Sequence, residues 1–557
     1  MMYFMISFFF LMISMFFLNF SLLFFLMKNS MFIEWNLINF FSIKLNMLIY
    51  LDWLSNMFIF TVLIISSMIM IYSSEYMYSD KNINQFFMLL ILFILSMIFM
   101  VISPNLISIL LGWDGLGLVS YCLVIFYQSK YSYSCGNLTI FSNRIGDIFL
   151  IMSISMMFIM GSWNFMNFNN FIYKLLIFMI IVTSFTKSAQ FPFSSWLPMA
   201  MAAPTPVSSL VHSSTLVTAG IYLLIRFKEM IYSNNNLMLF IMLISLITMF
   251  MSSMCAIFEY DFKKIIAYST LSQMSLMMMI FSIKMFNMTF FHLIIHAMFK
   301  SMMFMCSGIF IHSLLNFQDI RFYGNMKKFL PMTSIMFFIS NLSLCGIPFL
   351  SGFYSKDIIL EFFLIYKLNY LIYLLFLISI MMTLIYSFRL LYYLMFKKFN
   401  FLNYYCIEDS KIMNFSMMIL LMFSIFLGSM FNWIIFFSLE KIFLSLNLKL
   451  LILNLLMFGI FFGIILFLIN YYKFNYLMKL FFGTMWFSYK LINYLLNLLL
   501  LSKFMYNYFD KGWSEFLLKN TFSLILNNKN YSFIKINNIL MMMFLLTLNL
   551  MIFFMFI

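Results

Sequence analysis

Residues 186–224 read TKSAQFPFSSWLPMAMAAPTPVSSLVHSSTLVTAGIYLL, an apolar stretch with four prolines from Pro192 to Pro206, Lys187 ahead of them and His212 behind. Each proline removes a backbone donor and disturbs the preceding helical turn. Inside a bilayer the freed backbone groups have no solvent, so a break survives only where protein or a water-lined cavity satisfies them. The stretch therefore predicts a helix interrupted at membrane depth with a cation beside the break. A second interruption is expected at 331–348, where Pro331 and Pro348 bound an apolar run and Lys356 follows. Paired interruptions in a transporter point to its ion pathway. The short matches PFSSW at 192–196 and PFLSGF at 348–353 are too brief to establish an internal repeat.

The surrounding chain fits a membrane setting. Of 557 residues, 65% are hydrophobic and 9% charged, with a mean hydropathy of +1.03, which excludes a water-soluble globule. At about 20 residues per span, apolar runs predict helices at 3–27, 47–72, 86–102, 104–127, 137–160, 170–189, 207–227, 237–258, 263–283, 288–313, 332–347, 354–366, 368–396, 412–437, 448–470 and 539–557. The fold class is thus an all-α polytopic membrane protein of about 16 transmembrane helices. Residues 1–27 lack a cationic leader and a small-residue cleavage site and read as a retained first helix. The loops are too short for a soluble catalytic domain, so any chemistry lies within or beside the bilayer.

The net charge of +15 comes from 32 basic and 17 acidic residues. Lys81, Lys130, Lys327, Lys328, Lys397, Lys398 and Lys411 sit in short loops between apolar runs, where cations set topology. They form no basic stripe interleaved with aromatic residues, so no nucleic-acid partner is expected. Four arginines and eight alanines against 79 phenylalanines and 59 methionines fit an A+T-biased organelle gene. The six cysteines show no metal or iron–sulfur spacing and read as small core residues.

From Tyr472 to Asn530, polar residues at 475, 479, 490, 493, 497, 507, 511 and 515 recur near helical spacing. They predict a long amphipathic helix, about 85 Å if continuous, suited to lying along neighbouring subunits. The competing reading is one more span near 480–502 with Lys490 snorkelling.

An ionised side chain at a helix centre costs about 2.5–3.5 kcal/mol, so each one in an apolar run needs a partner, a wet cavity or a function. Asp114 lies in GWDGLGLVSY; Arg144 and Asp147 lie in NRIGD, three apart on one helical face. His212 shares a small polar stripe with Ser208, Thr215 and Ala219. Asp261, Lys263 and Lys264 stand in EYDFKKIIAYSTLSQ. His292, His296 and Lys300 fall within about 80° of one another on one helix. Lys356, Asp357 and Glu361 close the series. Arg144 with Asp147 reads first as a structural ion pair. His212 is as readily a hydrogen-bonded packing residue as a relay, and Asp261 is as readily a solvated group at a helix mouth. His292 and His296 supply half of a zinc site with no further ligand nearby, so no metal is expected. Gly112, Gly115 and Gly117 follow no strand, which argues for close helix packing around Asp114 and against a phosphate loop.

The segments GWDGLGLVSYCLV, NRIGD, residues 186–224, DFKKIIAYSTLSQ, FHLIIHAMFKS and GIPFLSGFYSKD, in that order, resemble the antiporter-like subunits of NADH:ubiquinone oxidoreductase, respiratory complex I. The resemblance covers about residues 100–400 strongly, and the tail is similar in length and pattern to the member with a lateral helix. It implies two inverted five-helix repeats, each with a discontinuous helix, and a division into N-terminal helices (1–102), an antiporter-like core (103–400), further helices (401–471), the lateral helix (472–535) and a terminal span (536–557). It implies proton translocation by Asp114, Lys187, His212, Lys263, His292, His296, Lys300 and Lys356. Arg144, Asp147, Asp261 and Asp357 are the expected supporting ion pairs. The family usually has Glu where this chain has Asp114, one methylene shorter, which favours a bridging water over direct pairing with Lys187.

The resemblance implies the mitochondrial inner membrane, membrane-arm partner subunits, neighbouring antiporter-like subunits along the lateral helix, and lipids including cardiolipin. No cofactor site is visible in this chain; FMN, iron–sulfur clusters and ubiquinone are expected in partner subunits. Moving one charge against about 150 mV needs about 3.5 kcal/mol, within what burial and a nearby carboxylate do to a lysine's protonation. The alternative is a subunit of a cation/proton antiporter.

Overall fold

The computed structural model describes residues 2–40, 43–159, 161–165, 174–366, 369–400, 409–435, 443–468, 476–488, 500, 502–516, 519, 541–543 and 545–546. Among them, twelve helices are long and apolar enough to cross a membrane. They are α1 (Met2–Met27), α2 (Trp53–Tyr76), α3 (Ile83–Ile102), α4 (Leu106–Val124), α5 (Lys130–Ile159), α7 (Thr205–Arg226), α8 (Asn235–Phe258), α9 (Phe262–Ser282), α10 (Phe286–Ser313), α13 (Tyr370–Phe396), α14 (Lys411–Ile435) and α15 (Leu446–Leu468). Three shorter helices complete the two interrupted segments: α6 (Lys174–Lys187), and α11 (Pro331–Cys345) followed by α12 (Ser351–Ile365). The all-α reading holds, with one departure.

That departure is an antiparallel hairpin, β1 (Met31–Phe40) and β2 (Ile43–Leu51), with an irregularity between Asn36 and Ile38. The expected helix from residue 47 instead starts at Trp53. Hydrophobic run length alone carried that expectation, but Asp52 is a strong helix start: its carboxylate accepts from the Ser55 amide and the Ser55 hydroxyl accepts from the Asp52 amide, a reciprocal capping box.

Serines repeat every seventh residue on α1, and Ser7, Ser14 and Ser21 are its buried positions together with Phe24. Each hydroxyl returns to the carbonyl three residues earlier, which removes its polarity and leaves a small surface for close packing on α2. Gly112 does the same for α4, where an added Cβ would lie 2.7 Å from the Met100 amide of α3. The most hydropathic stretches of α2, α7 and α10 are buried along their whole length. These three helices form the centre of the unit Met1–Trp486, and α10 carries His292, His296 and Lys300.

The lateral segment 472–535 and the terminal span 536–557 fall largely outside the described residues. Of the former, α16 (Tyr476–Gly483) packs on α8 through Phe482 and Phe258, rings 5.3 Å apart. Positive φ at Met485, Trp486 and Phe487 ends helical geometry there, so one uninterrupted helix does not run through this point. Residues Phe487–Ile557 form a separate unit, whose described part includes a π-helical stretch, Tyr506–Ser514.

Candidate functional site

The first interruption follows α6. Beyond Lys187 the chain makes three short turns, Phe193–Ser195, Trp196–Met199 and Ala200–Ala202, before α7 begins with Pro206 in its first turn, where a missing amide hydrogen costs nothing. The indole of Trp196 donates to the Thr186 carbonyl at 2.9 Å and so satisfies part of the broken end. Lys263, buried on α9, donates to the Ala203 carbonyl at 3.2 Å. This lysine therefore caps backbone freed by the break, a favourable place for a cation.

Lys187 is fully buried. Its amine donates to the Trp113 carbonyl at 3.4 Å and lies 5.1 Å from the centre of the Trp113 ring. Gly117 leaves room for it, since a Cβ there would stand 3.5 Å from Nζ. The carboxylates that act on its charge are Asp147 and then Asp114, though neither comes within ion-pair distance. Both instead gather around Arg144, with Nη1 3.2 Å from Asp147 and 3.8 Å from Asp114. The expected face-sharing of Arg144 and Asp147 is present, and the doubt about a direct Asp114–Lys187 contact is resolved against contact. Asp114 pairs with Arg144, and Asp147 belongs to the same cluster as Lys187.

His212 does not sit on a plain α-helical stripe. Residues Ser208–Thr215 form a π-helix, so the expected α-helical alignment with Ser208, Thr215 and Ala219 is replaced by five-residue spacing. The hydroxyl of Thr215 accordingly reaches the Leu210 carbonyl at 2.7 Å. Such bulges concentrate at functional positions. Neither ring nitrogen of His212 has a hydrogen-bond partner among the described residues, and the ring meets Trp196 edge-on at 6.1 Å.

The second interruption holds the longer row. His292 Nδ1 lies 2.8 Å from the Ser355 hydroxyl and Nε2 lies 3.2 Å from Gln273 Oε1. His296 is buried 6.3 Å from His292, ring to ring, with both nitrogens unpartnered among the described residues. Lys300 donates to the Ser269 hydroxyl. Gly346, at φ +82°, turns the chain between α11 and α12, and Lys356 reaches back to the Leu344 carbonyl and to Thr383 Oγ1, each at 3.3 Å. A cavity of about 20 Å³ lined by Cys345, Gly346, Lys356 and Asp357 adjoins the amine, room for one water molecule.

Asp261 pairs with Lys264 rather than Lys263 and is partly exposed at the start of α9, which settles it as a helix-mouth group. Asp357, expected in a supporting ion pair, has no basic group within 4 Å among the described residues; Lys449 is the cation in its field. Four cysteines are buried as expected, whereas Cys122 is exposed and Cys406 lies outside the described residues. Among the described residues no three His, Cys, Asp or Glu side chains converge as a metal site would require.

With this geometry in place, the comparisons are decisive. Residues 103–385 match the transmembrane family of NADH:quinone oxidoreductases and Mrp antiporters, residues 35–87 the complex I chain 5 N-terminus, and residues 386–557 the NADH dehydrogenase subunit 5 C-terminus. The NADH-ubiquinone oxidoreductase chain 5 of Aedes aegypti is 47% identical over 509 residues, covering 89% of this chain and 88% of its own. The chain belongs to the NADH-ubiquinone oxidoreductase chain 5 family. The chain 5 of Locusta migratoria is 49% identical over 496 residues, 87% of this chain and 86% of that protein. A solved Mrp complex from a Dietzia species superposes with a TM-score of 0.70 at 22% identity, over 82% of this chain and 52% of that one. That likeness is one of fold.

Several groups in this chain 5 family member went unnoticed in the sequence. Ser269, Gln273 and Ser355 supply the hydrogen bonds of the second row, and Thr383 holds Lys356. For Thr383 a signal is present in the sequence: Ser379, Thr383 and Ser387 recur every fourth residue within an apolar run. Arg389 also escaped notice; it is buried and donates to the carbonyls of Ala256 and Glu259 at the end of α8.

Proposed function

We propose that this chain is a proton-translocating membrane-arm subunit of NADH:ubiquinone oxidoreductase, and that Asp114, Lys187, His212, Lys263, His292, His296, Lys300 and Lys356 carry or hold the protons. The observation that carries this reading is the buried row on α10, in which His292 and Lys300 rest on hydroxyls and an amide, His296 has no hydrogen-bond partner, and no carboxylate lies within ion-pair distance among the described residues. A proton added to such a row is not trapped, because no carboxylate among the described residues pairs with it there. Near Lys187 the reverse applies, since a carboxylate favours the charged amine and its withdrawal favours release. Arg144 competes for Asp114 and Asp147, so its movement would set how much negative charge Lys187 feels.

The chain works as part of an oxidoreductase complex. We assign the redox chemistry to partner subunits, where FMN, iron–sulfur clusters and ubiquinone are expected, and the location to the mitochondrial inner membrane. The segment 472–535 is proposed to run along neighbouring antiporter-like subunits, with cardiolipin against the basic loops. The fold likeness to an Mrp complex keeps cation/proton exchange as a second reading, which sodium-dependent flux from the isolated chain would favour.

The test is proton pumping by reconstituted complex carrying Lys300→Met, with NADH oxidation by an artificial acceptor as a check on assembly. The expected result is a loss of most pumping with assembly intact. Pumping at the parent level would remove the row on α10 from the pathway.

A further inference from the structure

Tyr72 and Tyr76 stand one turn apart at the end of α2 that leads to Lys81, opposite the end of α10 that leads to Lys327 and Lys328. Their rings stack 5.5 Å apart at 19°, and Tyr76 meets the exposed ring of His312 at 5.6 Å. Tyr72 is fully buried and donates to the Met305 carbonyl at 3.2 Å. Gly308 on α10 makes the approach possible. A Cβ added there would collide with the Tyr72 hydroxyl oxygen and lie 2.6 Å from Thr205 Oγ1, so the absence of a side chain brings these two hydroxyls together. Thr205 is itself buried, and its hydroxyl makes no hydrogen bond among the described residues although it sits within the reach of both phenols.

A valine would fill the place of Thr205 equally well, and a buried hydroxyl left without a partner costs free energy unless it is used. Thr205 opens α7. Two residues before it, Ala203 accepts from Lys263; two turns after it comes His212, and its own carbonyl accepts from the Ser208 hydroxyl at 2.8 Å. Gly308 lies about 12 Å along α10 from Lys300, at 1.5 Å per residue. Tyr76, Tyr72 and Thr205 thus lie in sequence between the exposed end of α10 and the first interruption.

We propose that Tyr76, Tyr72 and Thr205 form a proton inlet leading from His312, at the basic-loop face, to the interrupted segment that holds Lys263 and His212. In each step a hydroxyl oxygen accepts a proton on a lone pair and releases its own O–H proton to the next group. One proton enters and one leaves, no electron moves, and the hydroxyls then turn back to reset the wire. The inference rests on the proton-translocation reading above.

The experiment uses assembled complex with Tyr72→Phe, Thr205→Val, Thr205→Ser and His312→Gln, alongside Lys187→Met. Pumping and artificial-acceptor NADH oxidation are measured on the same membranes. Tyr72→Phe and Thr205→Val are expected to lower pumping by roughly tenfold or more, a loss of the size that follows removal of a positioned proton-transfer group. Thr205→Ser, which keeps the hydroxyl, is expected to pump near the parent rate. His312→Gln, on an exposed residue, tests the entrance without disturbing the core and is expected to slow pumping as well. Parent-level pumping in Tyr72→Phe and Thr205→Val, or in His312→Gln, overturns the inlet. If Lys187→Met still abolishes pumping in that case, the lysine axis stands and entry lies elsewhere. If Lys187→Met also pumps normally, it is the functional reading that fails.

Discussion

The two interrupted segments treat a buried lysine in opposite ways. At the first, Lys187 lies in the field of Asp147 and Asp114, and those carboxylates are shared with Arg144, whose side chain is 46% exposed on the outer surface of the chain. At the second, His292, His296, Lys300 and Lys356 are all buried; His292, Lys300 and Lys356 rest on Ser355, Gln273, Ser269, Thr383 and a backbone carbonyl, and His296 has no hydrogen-bond partner among the described residues. Two charges on His292 and His296, 6.3 Å apart, would repel by about 2.6 kcal/mol at an effective dielectric of about 20. On the proposed function, the first segment would hold a positive charge under adjustable control, and the second would pass one along, because each arriving proton would push on the next.

The contrast is broken most sharply by giving the second segment what the first has. Ser269→Asp would place a carboxylate against Lys300, an attraction of about 4 kcal/mol at 4 Å and an effective dielectric of about 20. The expected outcome is near-complete loss of pumping in a complex that still assembles. Undiminished proton uptake by vesicles would show that a trapped charge on Lys300 does no harm, and the row would not be a relay. Lys187→Met should remove most pumping as well, since Lys187 is the amine that lies in the field of Asp147 and Asp114.

A smaller effect sharpens the first segment itself. Asp114→Asn is expected to lower NADH:ubiquinone turnover several-fold, on the order of 1 kcal/mol of barrier, because Asp147 keeps acting on Lys187. Arg144→Lys should cost less, since it keeps the cation and loses only the forked geometry. Turnover reduced equally by both substitutions would mean that the cluster only holds helices α4 and α5 together.

How far the sequence revealed these arrangements follows from what each one depends on. The breaks were legible because proline cannot be hidden in an apolar run, and Lys187 and Lys356 were legible as cations beside them. The row His292, His296 and Lys300 was legible from four-residue spacing on a single helix. The sharing of Asp114 between Arg144 and Lys187 was not, because it depends on how α4, α5 and α6 pack, which one helix's periodicity does not carry. The π-helix at Ser208–Thr215 was likewise hidden, since one extra residue per turn leaves the apolar pattern of α7 nearly unchanged. The hairpin before Asp52 was misread because its apolar residues run on into those of α2, and only the cap separates them.

A separate ion pair supplies the control with the smallest expected effect on pumping. Asp52 takes two nitrogens of Arg226 at 2.7 and 2.9 Å, a closed bidentate pair unlike either lysine site. Burial pushes the Asp52 carboxyl up, but the Arg226 charge and hydrogen bonds, with those from Ser55, outweigh it and hold the carboxyl below the usual aspartate range. A carboxyl depressed in this way stabilises the folded state fully above its unfolded value, near about 3.9, and that contribution fades as pH falls through the lower folded value. Stability from this pair should therefore be flat between about pH 6 and 8 and decline only in strong acid. Asp52→Asn leaves Arg226 without its counter-ion and should cost about 3–5 kcal/mol of stability, seen as earlier thermal dissociation of the subunit. Pumping per assembled complex should stay at the parent rate, because a cation locked to a permanent anion neither gives up nor accepts a proton. If Asp52→Asn instead lowered pumping per complex, fixed pairs and proton-carrying cations would not be separable in this chain, and the contrast between its two interrupted segments would lose its meaning.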